Sequence, residues 1–356
     1  MNACWELENK VLMDDIIYIS QDTAIPWEQL KGKQILVTGA TGLIGSLLIK
    51  SLLYISDLKN INLTIFACCR NKEKAERIFT AEHCFLGKVL HFIESDIRSP
   101  LPECLHIDYI IHTASPTASA DFVERPVDTI LITLQGTTNI LELAKKSSSK
   151  KLVYLSSMEV YGILEKDKIS EDDSGYLNPL IIRNSYPQAK RLAEALCMAY
   201  SSQYGVPISI IRLTQTFGPG ADPLDNRVFM QFAKAVKEGK DIILQTEGKT
   251  KRDYLYTADA ARGIFSAMLL GGKSDAYNLS NPDTYISIYE MAKLCTTLND
   301  KINIHFNKSE KAPQKFLPEI HISLNTNKID LLNKFPKKNL KEMFINLINY
   351  LNSIEK

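Results

Sequence analysis

The chain has 356 residues, enough for about two domains. Its 42 Lys+Arg stand against 41 Asp+Glu, a formal +1, which excludes a global basic field for gripping nucleic acid though not a local basic pocket. With 45% hydrophobic and 23% charged residues the composition is that of a folded globular protein, and no run of about 18 apolar residues is available to span a bilayer.

At the start, Met1–Lys10 carries Glu6 and Glu8 and lacks a basic stretch followed by an apolar one, so it does not read as a secretory signal. Residues 1–32 hold Trp5, the Ile16-Ile17 pair and Pro26-Trp27. They read as a helical extension that packs on the body of the fold or on a second subunit. Seven cysteines show no spacing suited to zinc, and Cys68-Cys69 lies in an apolar run where buried thiols are expected. The expectation is a reduced, cytoplasmic, soluble protein.

From Lys33 strands and helices alternate. Gln34–Thr38 is a short apolar strand ending in a glycine turn, and Leu43–Leu53 has helical apolar spacing. Leu63–Cys69 is a second strand, Lys72–Phe79 a helix and Val89–Glu94 a third strand. Tyr109–His112 and Leu152–Ser156 follow as strands around a Thr129–Lys146 helix, with Ser147-Ser148-Ser149 as a loop. Ile208–Leu213 comes after another long helix. Continuous apolar strands separated by helices imply an α/β fold: a doubly wound Rossmann-type parallel sheet, with ligands at the strand carboxyl ends. This domain covers residues 33–217. The pattern loosens after Phe217, with turns at Gly218-Pro219-Gly220 and Asn281-Pro282-Asp283. Residues 218–356 read mainly as a smaller substrate-binding domain, from which Tyr254–Leu270 returns as a helix to the first.

The segment Gly39-Ala40-Thr41-Gly42-Leu43-Ile44-Gly45 follows a strand and opens a helix, the context a dinucleotide pyrophosphate needs. Free N–H groups and the helix dipole favour an anion there. The spacing is GxxGxxG, which resembles the short-chain dehydrogenase/reductase superfamily. At the end of the second strand stands Arg70-Asn71, with no carboxylate until Glu73. A guanidinium there accommodates a 2′-phosphate, so NADP(H) is favoured and NAD remains possible; the alternative is an arginine on a solvated loop. Asp96-Ile97 follows the third strand at a position suited to adenine. In His112-Thr113-Ala114-Ser115, small residues let a cofactor pass close to the backbone.

Tyr186 and Lys190 are four residues apart on a helix and share a face. A phenol with a pKa near 10 is a poor base, and a neighbouring ammonium together with an oxidised nicotinamide stabilises its anion. Tyr186 then exchanges a proton with a substrate hydroxyl during hydride transfer. Ser156-Ser157-Met158-Glu159-Val160-Tyr161-Gly162 ends a strand, where a hydroxyl can bond the reacting oxygen.

Taken together these segments resemble the extended short-chain dehydrogenase/reductases, the NAD(P)-dependent epimerase/dehydratase family acting mainly on nucleotide sugars. The resemblance runs from Gln34 to about Leu351 and includes RLTQTFGP from Arg212 and RDYLY from Arg252. It implies Ser157 as a catalytic hydroxyl beside Tyr186 and Lys190, Arg252 as a ligand of the substrate diphosphate, and a homodimer paired through two helices. Three positions depart from the family: Thr133 and Gln215 stand where Asn is common, and Met158-Glu159 where dehydratases carry Asp-Glu. Gln215 marks a substrate pocket that differs, and loss of the Asp argues against a 4,6-dehydratase.

Two reactions compete. Similarity to UDP-glucuronate decarboxylases at HTASP, Glu159 and Arg183 implies a redox-neutral nucleotide-sugar decarboxylase or epimerase that retains NAD, in which Glu159 moves a proton and Arg183 holds a carboxylate. Arg70 favours instead an NADP(H)-dependent oxidoreductase of a nucleotide-linked keto sugar or ketose, the main reading here. A non-catalytic NADP-binding sensor or scaffold is a third class, disfavoured because both Tyr186 and Lys190 are present.

Overall fold

The computed structural model describes residues 3–102, 106–307 and 319–354. Six apolar runs form the strands β1 (Gln34–Thr38), β2 (Thr64–Cys69), β3 (Leu90–Glu94), β4 (Tyr109–His112), β5 (Lys151–Ser157) and β6 (Ile208–Leu213). Further along are β7 (Gln215–Phe217), β8 (Ile242–Leu244), β9 (Lys251–Tyr256), β10 (Ser274–Leu279), β11 (Asn281–Ser287), β12 (Ile304–Phe306) and β13 (His321–Ile322). The main sheet has seven parallel strands in the order β10-β6-β5-β4-β1-β2-β3. The order reverses at β1, between β2 and β4, and such a switch point opens a crevice at the strand carboxyl ends.

The helices are α1 (Lys10–Ser20), α2 (Leu43–Lys59), α3 (Lys72–Ile78), α4 (Asp121–Glu124), α5 (Pro126–Lys146), α6 (Ser185–Tyr204), α7 (Val228–Glu238), α8 (Thr257–Leu269), α9 (Ile288–Thr296), α10 (Asn327–Asp330) and α11 (Leu340–Ser353). Residues alternate between two cores because successive side chains of a strand point to opposite faces. Ile35, Val37, Val153 and Ile211 join the core under α1, α2 and α8. Leu36, Leu152, Tyr154 and Ile210 join the one under α5 and α6. Burial on both faces is what makes the strand sequences continuous apolar runs, and the doubly wound α/β fold is as expected.

A smaller sheet runs β11-β9-β13, with β7 pairing to β9, and β8 pairs β12. α7, α9 and α11 pack together beside it. The helix expected over Tyr254–Leu270 begins only at Thr257, because Tyr254, Leu255 and Tyr256 close strand β9 and are buried in it. No turn residue separates the strand from α8, so the sequence pattern merges them. The extension packs on the body of the same chain: α1 lies against α2, α8 and α11, with Trp5, Ile16, Ile19, Trp27 and Leu30 buried. Cys68, Cys69, Cys197 and Cys295 are buried free thiols, whereas Cys84 is disulfide-bonded. That corrects the expectation of a wholly reduced chain; an odd cysteine count gave no sign of a pair. Among the described residues, no helix is long and apolar enough to cross a membrane.

Candidate active site

The glycine turn lies at the carboxyl end of β1. Gly39 has φ +66°, and a Cβ there would lie 2.6 Å from Thr113 Oγ1 and 2.9 Å from the Ala114 nitrogen. Thr113 Oγ1 donates to the Thr38 carbonyl at 2.7 Å, which brings the ends of β1 and β4 together. A Cβ on Gly45 would come within 2.3 Å of the Gly39 carbonyl oxygen, so only glycine lets the helix start this close to the strand. Gly42 caps α2 without a side chain. The first-turn N–H groups, those of Leu43 and Ile44 among them, are thus left for a ligand. The Ser115 hydroxyl is buried with no protein partner. A glycine cradle, open helical donors and an orphaned hydroxyl fit a dinucleotide pyrophosphate, with Thr41 half-buried on the same turn.

At the adenosine end the expected residues divide. Arg70 is exposed at the end of β2. Asn71 spends its side-chain oxygen on the Lys74 N–H at 2.7 Å, capping α3. Asp96 accepts from Arg98 through the backbone N–H at 2.9 Å, Nε at 3.1 Å and Nη2 at 2.8 Å. Those bonds, with Arg70 adding its field, hold its carboxyl below the usual range. Ile97 packs over Gly136, where a Cβ would stand 2.9 Å from its Cγ2.

The first two turns of α6 carry Tyr186 and Lys190 against the end of β5. Lys190 Nζ donates to the Leu155 carbonyl at 2.7 Å and lies 4.7 Å from the Tyr154 ring centroid and 5.9 Å from that of Tyr186. Burial pushes the Lys190 ammonium down to about 8, against the opposing pull of Glu194 and Cys197. His112, wholly buried nearby, shares 2.7 Å with Thr38 Oγ1 and is held neutral by burial and the Lys190 charge. The Tyr186 phenol is held well above its usual range, by burial first and the Glu159 carboxylate second. Its hydrogen bond with Ser157 and the charges of Arg183 and Arg227 act the other way. Desolvation outweighs these influences.

Glu159 and Arg183 form a bidentate pair, Nη1 to Oε2 at 3.0 Å and Nη2 to Oε1 at 3.3 Å. The Glu159 N–H also donates to Ser157 Oγ at 3.2 Å. The structure thus brings Ser157, Glu159, Arg183, Tyr186 and Lys190 into one cluster. Gln215 and Arg252 are on the neighbouring sheet: Gln215 registers with Tyr254 of β9, two residues beyond Arg252, so all three share a face. Arg252 Nε is buried without a partner, a donor left for a ligand. Two residues of the cluster escaped sequence reading. Arg227, bonded to Asp225 by Nε and Nη2, acts on the Tyr186 phenol from the start of α7. Phe122 stacks on Tyr186 from α4, with ring centroids 4.3 Å apart. Neither carries a spacing signal linking it to residue 186. Two surface depressions of about 420 and 440 Å³ lie elsewhere, behind α6 and beneath the extension.

The model of the NAD dependent epimerase/dehydratase family matches residues 35–280. UDP-glucuronic acid decarboxylase 1 of Xenopus tropicalis is 31% identical over 295 residues, covering 81% of this chain and 66% of that protein. UDP-glucuronic acid decarboxylase 2 of Arabidopsis thaliana is 30% identical over 314 residues, covering 88% and 66%. The chain therefore spans just under two thirds of the length of these relatives. Among solved structures, UDP-glucuronic acid 4-epimerase from Bacillus cereus, in complex with UDP-glucuronic acid and NAD, superposes with a TM-score of 0.75 at 23% identity, covering 90% of this chain and 99% of that one. dTDP-glucose 4,6-dehydratase from Streptomyces venezuelae superposes with 0.74 at 20% identity, covering 90% and 97%. At such identities the structures speak to the fold alone. The family match, in contrast, runs from β1 through β10 and takes in the glycine cradle and the Tyr186–Lys190 cluster, and the chain belongs to the NAD-dependent epimerase/dehydratase family.

Proposed function

We propose that the chain is a nucleotide-sugar enzyme that removes the carboxylate of a UDP-uronic acid in a redox-neutral cycle, with its dinucleotide retained. The observation that carries this reading is the bidentate Glu159–Arg183 pair set beside the Tyr186 phenol, on which both of its charges act. A carboxylate-binding guanidinium and a proton-transfer phenol then face one sugar ring. The names of the relatives, UDP-glucuronic acid decarboxylases, favour it over the NADP(H) oxidoreductase expected from sequence.

A nicotinamide dinucleotide supplies the hydride acceptor and donor when bound, with the glycine cradle, Thr113, Ala114 and Ser115 along its path. Tyr186 Oη takes the proton of the sugar hydroxyl β to the carboxylate and later returns one to the same oxygen. Ser157 Oγ orients that oxygen, and the Lys190 charge favours the phenolate. Arg183 holds the sugar carboxylate, Glu159 relays a proton at the neighbouring carbon, and Arg252 with Gln215 holds the diphosphate end.

The test is to incubate purified protein with UDP-glucuronate and no added dinucleotide, following products by mass spectrometry. A UDP-pentose and CO₂ in equal amounts are expected, with NAD released on denaturation. Tyr186→Phe should lower turnover by about 10²–10⁴-fold. A second reading, the NADP(H)-dependent reductase of a keto sugar, is favoured by exposed Arg70 where no carboxylate stands. An empty protein that binds NADPH far better than NADH, and leaves UDP-glucuronate intact, would overturn the decarboxylase in its favour.

A further inference from the structure

We infer that Phe122 is a positioning residue for Tyr186, the aromatic wall that fixes both the plane of the phenol and the distance at which the Arg183–Glu159 pair acts on it. The inference rests on the reading of Tyr186 as the proton-transfer group. The Phe122 and Tyr186 rings are parallel to within 4° at 4.3 Å. The Arg183 guanidinium stands 4.8 Å from the same Phe122 centroid, and with one face taken by Tyr186 it is left the other. Phe122 is 2% exposed. Its backbone is tied to the active helix, since Ser185 Oγ donates to the Phe122 carbonyl at 2.9 Å.

These contacts run through five residues. Ser157 accepts from the Glu159 N–H, Glu159 grips Arg183, Arg183 lies on Phe122, and Phe122 lies on Tyr186. Phe122 is the member through which the ion pair reaches the phenol ring. Phe122 is the one member with no polar group to offer, so its contribution is shape, exclusion of water from the phenol face, and a flat surface for two partners. The charged groups facing Tyr186 come from three places: Glu159 after β5, Arg183 before α6, and Arg227 at the start of α7. Lys190 lies on its own helix. Glu159 opposes ionisation and the two arginines favour it, so their balance depends on the geometry that Phe122 sets.

Phe122→Leu keeps an apolar side chain and removes the flat face; Phe122→Tyr keeps the stack. In Phe122→Leu, kcat for UDP-glucuronate should fall by about tenfold or more with KM within about threefold, and the limb of the kcat–pH profile set by Tyr186 should move. The melting temperature and NAD affinity should stay near those of the parent, and Phe122→Tyr should recover most of the rate. A substrate-free arm uses 3-fluorotyrosine-labelled protein, with the Tyr186 ¹⁹F signal assigned by its loss in Tyr186→Phe. Its titration midpoint should move toward that of a free phenol in Phe122→Leu and remain in Phe122→Tyr. If the parent does not convert UDP-glucuronate, the proposed function fails and the ¹⁹F arm alone decides the role of Phe122. If Tyr186→Phe keeps its turnover, the reading of Tyr186 fails. A Phe122→Leu protein with unchanged midpoint and pH profile overturns the inference, whether its turnover is intact or falls in step with its melting temperature.

Discussion

Lys190 keeps its ammonium in the core, between the Tyr154 ring and the Leu155 carbonyl, with a value of about 8. That lies below the ordinary lysine value near 10.4. Between the two values the unfolded chain binds the extra proton, so stability rises with pH across that window and the penalty is largest below it. Lys190→Met removes the titration. The stability advantage of the variant over the parent, from denaturant titration near pH 7.5, should shrink by about 2 kcal/mol near pH 9.5. A difference that does not change with pH would mean the ammonium is solvated. At this scale the sequence announces what is local: a four-residue helical spacing shows Tyr186 with Lys190, and a strand end shows Ser157. It names Glu159 and Arg183 but not their bond, which joins positions 24 apart through the turn before α6. Phe122 and Arg227 stay hidden because only the folded chain brings them to the phenol.

Among the elements, the strand–turn–helix from β1 to α2 is the most tightly specified. The three glycines of its turn have different physical reasons, so alanine separates them. At Gly45 the new Cβ would meet the Gly39 carbonyl at 2.3 Å, backbone against backbone, and something must move. Gly45→Ala should cost about 1–3 kcal/mol of stability, and NAD(P) affinity with it. At Gly42, with φ −84° and the nearest atom 3.3 Å away, the folded chain accommodates a methyl with little shift. Gly42→Ala should melt near the parent and lose affinity only, since its methyl enters the space proposed for the pyrophosphate; calorimetric titration with thermal melting separates the two cases. The sheet strands were readable because burial on both faces writes unbroken apolar runs. The β9–α8 boundary was not, since Tyr254–Tyr256 continues into Thr257 with no glycine or proline. β10 begins Ser274-Asp275, polar residues on a half-buried edge strand, and carries no such run.

Across the whole molecule the extension works as a clasp. Trp5 Nε1 donates to Asp57 of α2 at 3.1 Å, Tyr256 Oη to Asp15 at 2.8 Å, and Arg262 Nε to Asp22 at 2.8 Å. Leu12 of α1 and Leu43 after the glycine turn both flank Gly220, so α1 reaches the carboxyl end of β1. The most demanding contact is that of Lys50 on α2, whose ammonium bonds Glu8 of the extension and both oxygens of Glu82 at 2.9 Å. All three side chains are nearly inaccessible. Burial with the repulsion of Glu8 pushes Glu82 up to about 8, so near neutral pH the two carboxyls share one proton and set one negative charge against the ammonium. Lys50→Met strips the only cation of this triad and leaves the Glu8 charge buried and unpaired beside the Glu82 carboxyl. Breaking a buried pair this way costs about 3–5 kcal/mol, a fall of roughly 5–15 °C in melting temperature for a chain of this size. Adding Glu8→Gln to Lys50→Met removes the stranded charge and should recover a large part of that loss, a coupling read directly from the double-mutant cycle. Because Glu82 with a raised value takes up a proton on folding, parent stability should also fall as pH rises through that value, and Glu82→Gln should flatten the decline. Additive losses in the cycle would mean that the extension is held by its apolar face, through Ile16, Ile19 and Trp5, and that the triad is no more than tolerated.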